Sequence, residues 1–100
     1  MLIADVVGTV VSSRKDPAIL GLTLLAVQPL GADMAPSGAV LVAVDSVGAG
    51  VGERVLIVSG SSARYTAVTS GKPADATVMG IIDLVESDGK RLYDKSRPDR

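Results

Sequence analysis

Two carboxylates, Asp45 and Glu53, lie on either side of a glycine-rich segment and are the residues best placed for acid–base chemistry. The chain has no histidine and no cysteine, so the commonest general base, metal ligand and thiol nucleophile are all missing. Asp45 also ends an apolar run before Ser46, where an aspartate side chain commonly accepts hydrogen bonds from its own turn. We therefore favour structural roles, in which Asp45 forms the turn and Glu53 lies half solvated where the next strand starts. We predict no catalytic, cofactor or metal site.

The glycine-rich segment, Gly48-Ala49-Gly50-Val51-Gly52, has the composition of a loop that binds phosphate. Such a loop must lie between a strand and a helix, because the N-terminus of the helix offers free N–H groups to the phosphate. Here the next residues, 53–58, are short, β-branched and closed by Ser59-Gly60, which is typical of a strand. The segment is therefore predicted to be the turn of a hairpin between two strands.

Ser61 and Ser62, which follow Gly60, are candidates for nucleophilic chemistry. A nucleophile elbow requires a histidine partner, and the chain has none, so we expect these serines to cap the first turn of a short helical segment. Arg64 is open to two interpretations. It is either a solvated surface arginine or a guanidinium that grips a carboxylate or backbone carbonyl groups across an interface.

Five or six short strands are predicted to position these residues. The second would also tolerate a helix, but the flanking Gly21 and Pro29 favour a strand. Gly8, inside the first strand, is predicted to mark a bulge or a bend. The predicted strands are 2–12, 19–27, 39–47, 54–58 and 77–85, with a late strand at 90–94. This pattern predicts a mainly β fold, a small closed barrel with one short helical turn at 60–65, and closure removes exposed sheet edges.

Aliphatic residues are in excess for a chain of this size. Hydrophobic residues make up 47% of 100 residues, and one small domain cannot hide so much apolar surface. The excess predicts burial in a membrane or in a protein–protein interface. The longest uncharged run, 17–32, contains prolines and glycines and is shorter than the roughly 18–20 residues of a membrane helix. An interface is therefore favoured.

The charges do not favour nucleic acid or anionic lipid as partners. Ten basic and eleven acidic residues give a net charge of −1, so the molecule has no strong field of either sign. The N-terminal residues Met1–Asp5 lack a basic region, and Asp5 interrupts the apolar run that a secretory signal needs. Together with the absence of cysteine, this predicts a cytoplasmic location.

Two linked motifs carry a family resemblance. The segment 45–53, followed by Val55-Leu56 and then by 60–64, closely resembles the signature of the pentameric vertex proteins of bacterial microcompartment shells. These include the carboxysome and ethanolamine-utilisation vertex proteins. The resemblance extends to 6–11, 21–25, 73–76 and 80–83. It covers most of residues 1–86, whereas 28–38 and 87–100 do not carry it clearly.

The resemblance implies a barrel similar in outline to an oligonucleotide-binding fold, which assembles as a cyclic pentamer. It also implies a structural role and no enzymatic one. Pentamers of this kind close the vertices of a polyhedral shell whose facets consist of hexameric and trimeric proteins. On this interpretation residues 1–86 are the vertex domain and residues 87–100 are a charged C-terminal tail.

Small residues in the loop fit such an assembly, because five copies could then meet closely around a shared axis. The residues expected at the subunit interface or the five-fold axis are Gly48, Ala49, Gly50, Ser61, Ser62 and Arg64. The alternative is a small barrel that binds single-stranded nucleic acid or another small ligand. Nucleic-acid sites of that kind rely on aromatic platforms and a positive groove, which two tyrosines and a balanced charge do not favour.

Overall fold

The structure, a computed structural model, describes residues 1–97 and contains a closed barrel and a separate two-stranded sheet. The strands are β1 (Leu2–Val10), β2 (Leu24–Pro29), β3 (Leu41–Asp45), β4 (Arg54–Ser59), β5 (Ala76–Ile81), β6 (Leu84–Ser87) and β7 (Lys90–Asp94). Short 3₁₀ helices span Pro17–Ile19 and Gly60–Arg64. The barrel has the strand order β1-β2-β3-β5-β4, and β6 pairs with β7. The predicted barrel and its helical turn are confirmed.

The barrel core consists mainly of small aliphatic side chains. Successive side chains of a strand point to opposite faces, so every second residue along most of the barrel strands faces inward. The buried cluster contains Ala4, Val6, Leu25, Val27, Ala43, Val55, Ile57, Ala76 and Val78. No member of the cluster is aromatic, so aliphatic side chains fill the interior of the barrel.

Gly8 marks a bulge in β1, as the sequence predicted. The pairing of β1 with β2 shifts register between Val6 and Gly8. A Cβ atom at Gly8 would lie 3.9 Å from the Cβ of Ala26. The irregularity comes just after the part of β1 that pairs with β4, which ends at Asp5. Ala4 and Asp5 pair with both neighbouring strands, β2 and β4.

The second strand begins later than predicted, at Leu24 instead of Ile19. The Asp16 carboxylate accepts a hydrogen bond from the N–H of Ala18 at 2.8 Å, and Pro17 opens the 3₁₀ helix. This local turn takes up the residues that the apolar pattern assigned to a strand. The first and third strands are also shorter than predicted.

The predicted hairpin between β3 and β4 is wrong, because β5 lies between these two strands. It pairs in parallel with β3 through Val44↔Thr77 and Asp45↔Val78. It pairs antiparallel with β4. The glycine-rich segment is therefore a connection that crosses from one strand to a strand two positions away in the barrel.

The predicted strand at 77–85 is two strands in different sheets. The N–H of Ile82 donates to the carbonyl oxygen of Arg54 at 2.8 Å, and the chain then leaves the barrel to begin β6. The late strand lies at 90–94 as predicted. The proposed division at residue 86 falls within β6, and residues 98–100 of the predicted tail lie outside the described residues.

Candidate assembly surfaces

Asp45 organises the first half of the glycine-rich connection, residues 46–53. Its Oδ1 accepts hydrogen bonds from the N–H groups of Val47 at 3.1 Å and Gly48 at 3.2 Å. Its Oδ2 accepts from the N–H of Ala49 at 3.0 Å. The carboxylate thus holds its own turn, and the turn-forming role predicted for Asp45 is confirmed.

Glu53 closes the second half of the connection. Its Oε1 accepts a hydrogen bond from the N–H of Gly50 at 2.6 Å, and its own N–H donates to the Gly50 carbonyl oxygen at 3.1 Å. Its Oε2 accepts from the Nζ of Lys95 at 2.8 Å. Each of the two carboxylates therefore accepts hydrogen bonds from loop amides. The sequence predicted this role for Asp45 and did not predict it for Glu53.

Hydrogen bonds at both of its ends fix this connection to the barrel. The N–H of Gly52 donates to the carbonyl oxygen of Val6, and the N–H of Val6 donates to that of Glu53, both at 2.9 Å. The Oγ of Ser46 donates to the carbonyl oxygen of Val78 at 2.6 Å. The connection is consequently an ordered feature at one end of the barrel.

The small residues of the connection face in two directions. Ala49 is half-buried and packs against the core cluster, whereas Gly48 and Gly50 are exposed. Gly48 has φ +77°, a left-handed backbone conformation that residues other than glycine rarely adopt. Gly50 has room for a Cβ, whose nearest neighbour would be Glu53 Oε1 at 3.4 Å. The two glycines are thus at the surface and Ala49 is directed inward.

Two valines beside these glycines are exposed. Val47 is 41% exposed and Val51 is 62% exposed. Together with Gly48 and Gly50 they form what we call the loop surface. Reasoning from the sequence missed the two valines, although β-branched apolar residues inside a turn are a signal of an interaction surface.

The second motif forms the 3₁₀ helix at Gly60–Arg64. The buried Ala63 anchors it, because its carbonyl oxygen accepts a hydrogen bond from Thr77 Oγ1 at 2.6 Å. Ser61 and Ser62 are exposed. The expectation that they cap the helix is wrong: the N-cap position is Ser59, which makes no capping bond through its side chain.

Arg64 is exposed and lies against its own chain. Its Nε donates a hydrogen bond to the Ala74 carbonyl oxygen at 3.2 Å. Its two Nη atoms have no hydrogen-bond partner among residues 1–97. The guanidinium is therefore held at one edge and open at the other, and its expected contact with a neighbouring subunit stays a prediction.

Tyr65, directly after this helix, is 82% exposed. A cleft beside Gly60 is lined by Val42, which is 50% exposed. We call Val42, Ser61, Ser62, Arg64 and Tyr65 the turn surface. An exposed tyrosine is a large and rigid contact residue, and the sequence reasoning did not single it out, because two tyrosines in a chain give no pattern.

The two motifs that are linked in sequence lie at opposite ends of β4. Strand β4 begins at Arg54, next to the loop surface, and ends at Ser59, next to the turn surface. A strand of this length separates its ends by roughly 17 Å. The structure thus does not join the predicted interface residues into one site but places them on two separate surfaces.

The two surfaces consist of small, apolar, aromatic and hydroxyl groups together with the Arg64 guanidinium. In residues 1–97, no group of three or more acidic side chains is arranged to hold a metal ion. Tyr93, the second tyrosine, is 2% exposed, so the barrel offers no pair of exposed aromatic rings for stacking of bases. Small, apolar and aromatic groups that lie at two separate places suit contact with protein.

The described part of the chain, residues 1–97, contains no helix with the length and apolar character needed to cross a membrane.

Comparisons of the sequence and of the structure with known proteins point to the same family. The family described as ethanolamine utilisation protein EutN/carboxysome matches residues 1–83. The carboxysome shell vertex protein CcmL of Gloeobacter violaceus is 45% identical over 95% of both chains. Its solved structure has a TM-score of 0.92 to this chain, with 44% identity, over 97% of this chain and all of that one.

A shorter relative is the bacterial microcompartment shell vertex protein GrpN of Rhodospirillum rubrum. It is 44% identical over 87% of this chain and 98% of its own. Its solved structure, described as a pentameric microcompartment shell protein, has a TM-score of 0.75. The ethanolamine utilisation protein EutN of Escherichia coli, also solved, is 40% identical over 95% of this chain and 99% of its own, with a TM-score of 0.82.

Proposed function

The chain belongs to the EutN/carboxysome family, and from this membership we propose that it is a structural protein that closes the vertices of a bacterial microcompartment shell as a homopentamer. The observation that carries the proposal is the match of the whole barrel, at a TM-score of 0.92, to a carboxysome vertex protein. The pentameric state of the GrpN relative supports a ring of five copies.

Five-fold symmetry has a geometric purpose in such a shell. Proteins with hexagonal symmetry tile a flat sheet, and a flat sheet cannot close into a polyhedron unless five-fold units occupy the vertices. The expected partners are therefore hexameric and trimeric facet proteins, in a shell that lies in the cytoplasm. The role is structural, and no catalytic step is assigned to the chain.

A ring of identical subunits requires each subunit to present two different surfaces to its neighbours. The loop surface and the turn surface meet this requirement, because they lie at opposite ends of β4. In the proposed ring, Gly48 and Gly50 lie around the five-fold axis, where their lack of side chains permits close approach. Ala49 supports this loop from the core side.

The turn surface contacts the neighbour farther from the axis. There Tyr65 is the anchor, since an exposed aromatic ring gains most from burial in an interface. The open edge of the Arg64 guanidinium donates hydrogen bonds across the interface, with Ser61 and Ser62 at its polar rim. This arrangement also gives the aliphatic excess of the sequence a place to be buried.

Native mass spectrometry of the purified chain tests the proposal. We expect a species of five times the 10.1 kDa chain, stable on dilution. Tyr65→Ser should shift the population to smaller species without unfolding the barrel, because the side chain makes few contacts within its own subunit. A monomer whose mobility shifts on addition of a single-stranded oligonucleotide would instead support the nucleic-acid alternative and contradict the ring.

A further inference from the structure

The C-terminal hairpin, β6 and β7, lies beyond the residues that the family match covers. It forms a two-stranded sheet of its own, and an isolated hairpin is at best marginally stable in water. Its contacts with the barrel therefore determine where it lies.

The first contact joins β7 to the start of β4. Tyr93 is 2% exposed, and the guanidinium of Arg54 lies over its ring at 4.5 Å from the centroid. Arg54 is also held by Asp5, which accepts from its Nε at 2.7 Å and its Nη2 at 3.1 Å. These hydrogen bonds raise the pKa of Arg54 above its ordinary value, so the guanidinium over the ring stays charged.

The second contact joins the hairpin to the glycine-rich connection. Lys95 Nζ donates to Glu53 Oε2 at 2.8 Å, and the other oxygen of this carboxylate accepts from the N–H of Gly50 at 2.6 Å. The N–H of Lys95 donates to the carbonyl oxygen of Asp83 at 2.9 Å. One carboxylate thus links the loop to the hairpin, and the backbone of Lys95 is fixed at the base of the hairpin.

We propose that the C-terminal hairpin is a brace that sets the position of the loop surface through Lys95–Glu53 and Tyr93–Arg54. Lys95 and Tyr93 are positioning residues, because they act on Gly50 and its neighbours through Glu53 and Arg54. Any effect of this brace on pentamer assembly rests on the proposed function. Its effect on the position of the loop does not.

Hydrogen–deuterium exchange on the full chain tests the brace. In Lys95→Met, the amides of residues 46–53 should exchange roughly two- to fivefold faster than in the parent, as expected for loss of a partly exposed ion pair. Tyr93→Leu should accelerate the same amides at least as much. The matched control is Lys90→Met on the same hairpin, since Lys90 makes no ion pair with any residue in 1–97, and it should leave the loop unchanged.

The salt dependence of loop exchange provides a second readout, which a general loss of stability would not reproduce. At about 1 M salt the Lys95–Glu53 attraction is screened, so the parent should approach the Lys95→Met exchange rates at residues 46–53. Loop exchange that is equal in the parent, Lys95→Met and Lys90→Met at low salt would overturn the brace. Hydrogen–deuterium exchange can be measured in any oligomeric state. A chain that forms no pentamer but shows faster loop exchange in Lys95→Met would therefore refute the proposed function and support the brace.

Discussion

At the scale of single residues, the loop surface depends on which of its small residues face outward. Gly48, Ala49 and Gly50 look equivalent in the sequence, yet Ala49 packs on the core while the two glycines are exposed. The sequence could predict that Asp45 holds this turn, because that chemistry is local. It could not predict the direction of Ala49, since that depends on where the barrel interior lies.

Gly50 is the position at which to test close approach around the axis. Unlike Gly48, it does not have a positive φ. A Cβ atom at this position would be in van der Waals contact with Glu53 Oε1, at 3.4 Å. Gly50→Leu should therefore fold, with a change in unfolding free energy of about 1 kcal/mol or less. If five copies meet at this loop, the variant should raise the concentration at which the ring dissociates at least about tenfold, equivalent to roughly 1.4 kcal/mol for each subunit that joins the ring.

The control for this variant is Ser13→Leu, which adds a leucine to the exposed turn after β1. Analytical ultracentrifugation of both proteins over a dilution series gives the comparison. If the ring dissociates at the same concentration in Gly50→Leu, in Ser13→Leu and in the parent, Gly50 lies away from the axis.

At the scale of elements, local patterns predicted the strands well and their partners poorly. The β-branched runs located β1 and β4, and Gly8 correctly marked the bulge. The predicted β3–β4 hairpin was wrong, because the parallel pairing of β5 with β3 comes from residues more than 30 positions away. A turn rich in glycine carries no information about such an intervening strand.

The same limit explains the separation of the two motifs that were predicted to lie at an interface. Segments 45–53 and 60–64 are close in sequence, but a single extended strand is enough to place them at opposite ends of the barrel. The residues exposed at both ends, Val47, Val51 and Tyr65, emerge only when burial is known.

The end of the hairpin makes a prediction for pH. Asp94 Oδ1 accepts hydrogen bonds from the Oγ of Ser96 at 2.6 Å and from its N–H at 3.0 Å, and Arg91 lies 3.0 Å from Oδ2. These contacts, chiefly the Ser96 hydroxyl, lower the pKa of Asp94 below its ordinary 3.8. A lowered pKa means that the ionised carboxylate stabilises this turn above pH 3.8, and that the stabilisation is lost as pH falls through the lowered value.

Nuclear magnetic resonance of the Ser96 amide during an acid titration checks this. We expect the chemical shift of this amide to stay constant from about pH 5 down to the ordinary pKa range of aspartate. It should change only at lower pH, where Asp94 becomes protonated. In Asp94→Asn the same amide should show no such step. A midpoint at or above the ordinary aspartate pKa in the parent would contradict the hydrogen-bonded turn.

At the scale of the whole molecule, the chain is a compact barrel with an extended hairpin. Residues 1–97 measure 46 × 24 × 24 Å, with a radius of gyration of 14.0 Å, whereas about 13 Å is usual for a compact chain of 100 residues. The closed barrel was predicted from short strands at regular spacing. The expectation of a pentamer came from the family motifs alone, because an interface between copies leaves only an aliphatic excess in the composition of one chain.

Closure of shells is the most direct measurement of the central claim. Hexameric and trimeric facet proteins are assembled with and without this chain, and the particles are imaged by electron cryomicroscopy. The account predicts closed polyhedra with five-fold density of this barrel at the vertices when the chain is present, and open or irregular sheets when it is left out. Shells that close equally well without the chain, or closed shells whose vertices lack the barrel, would contradict it.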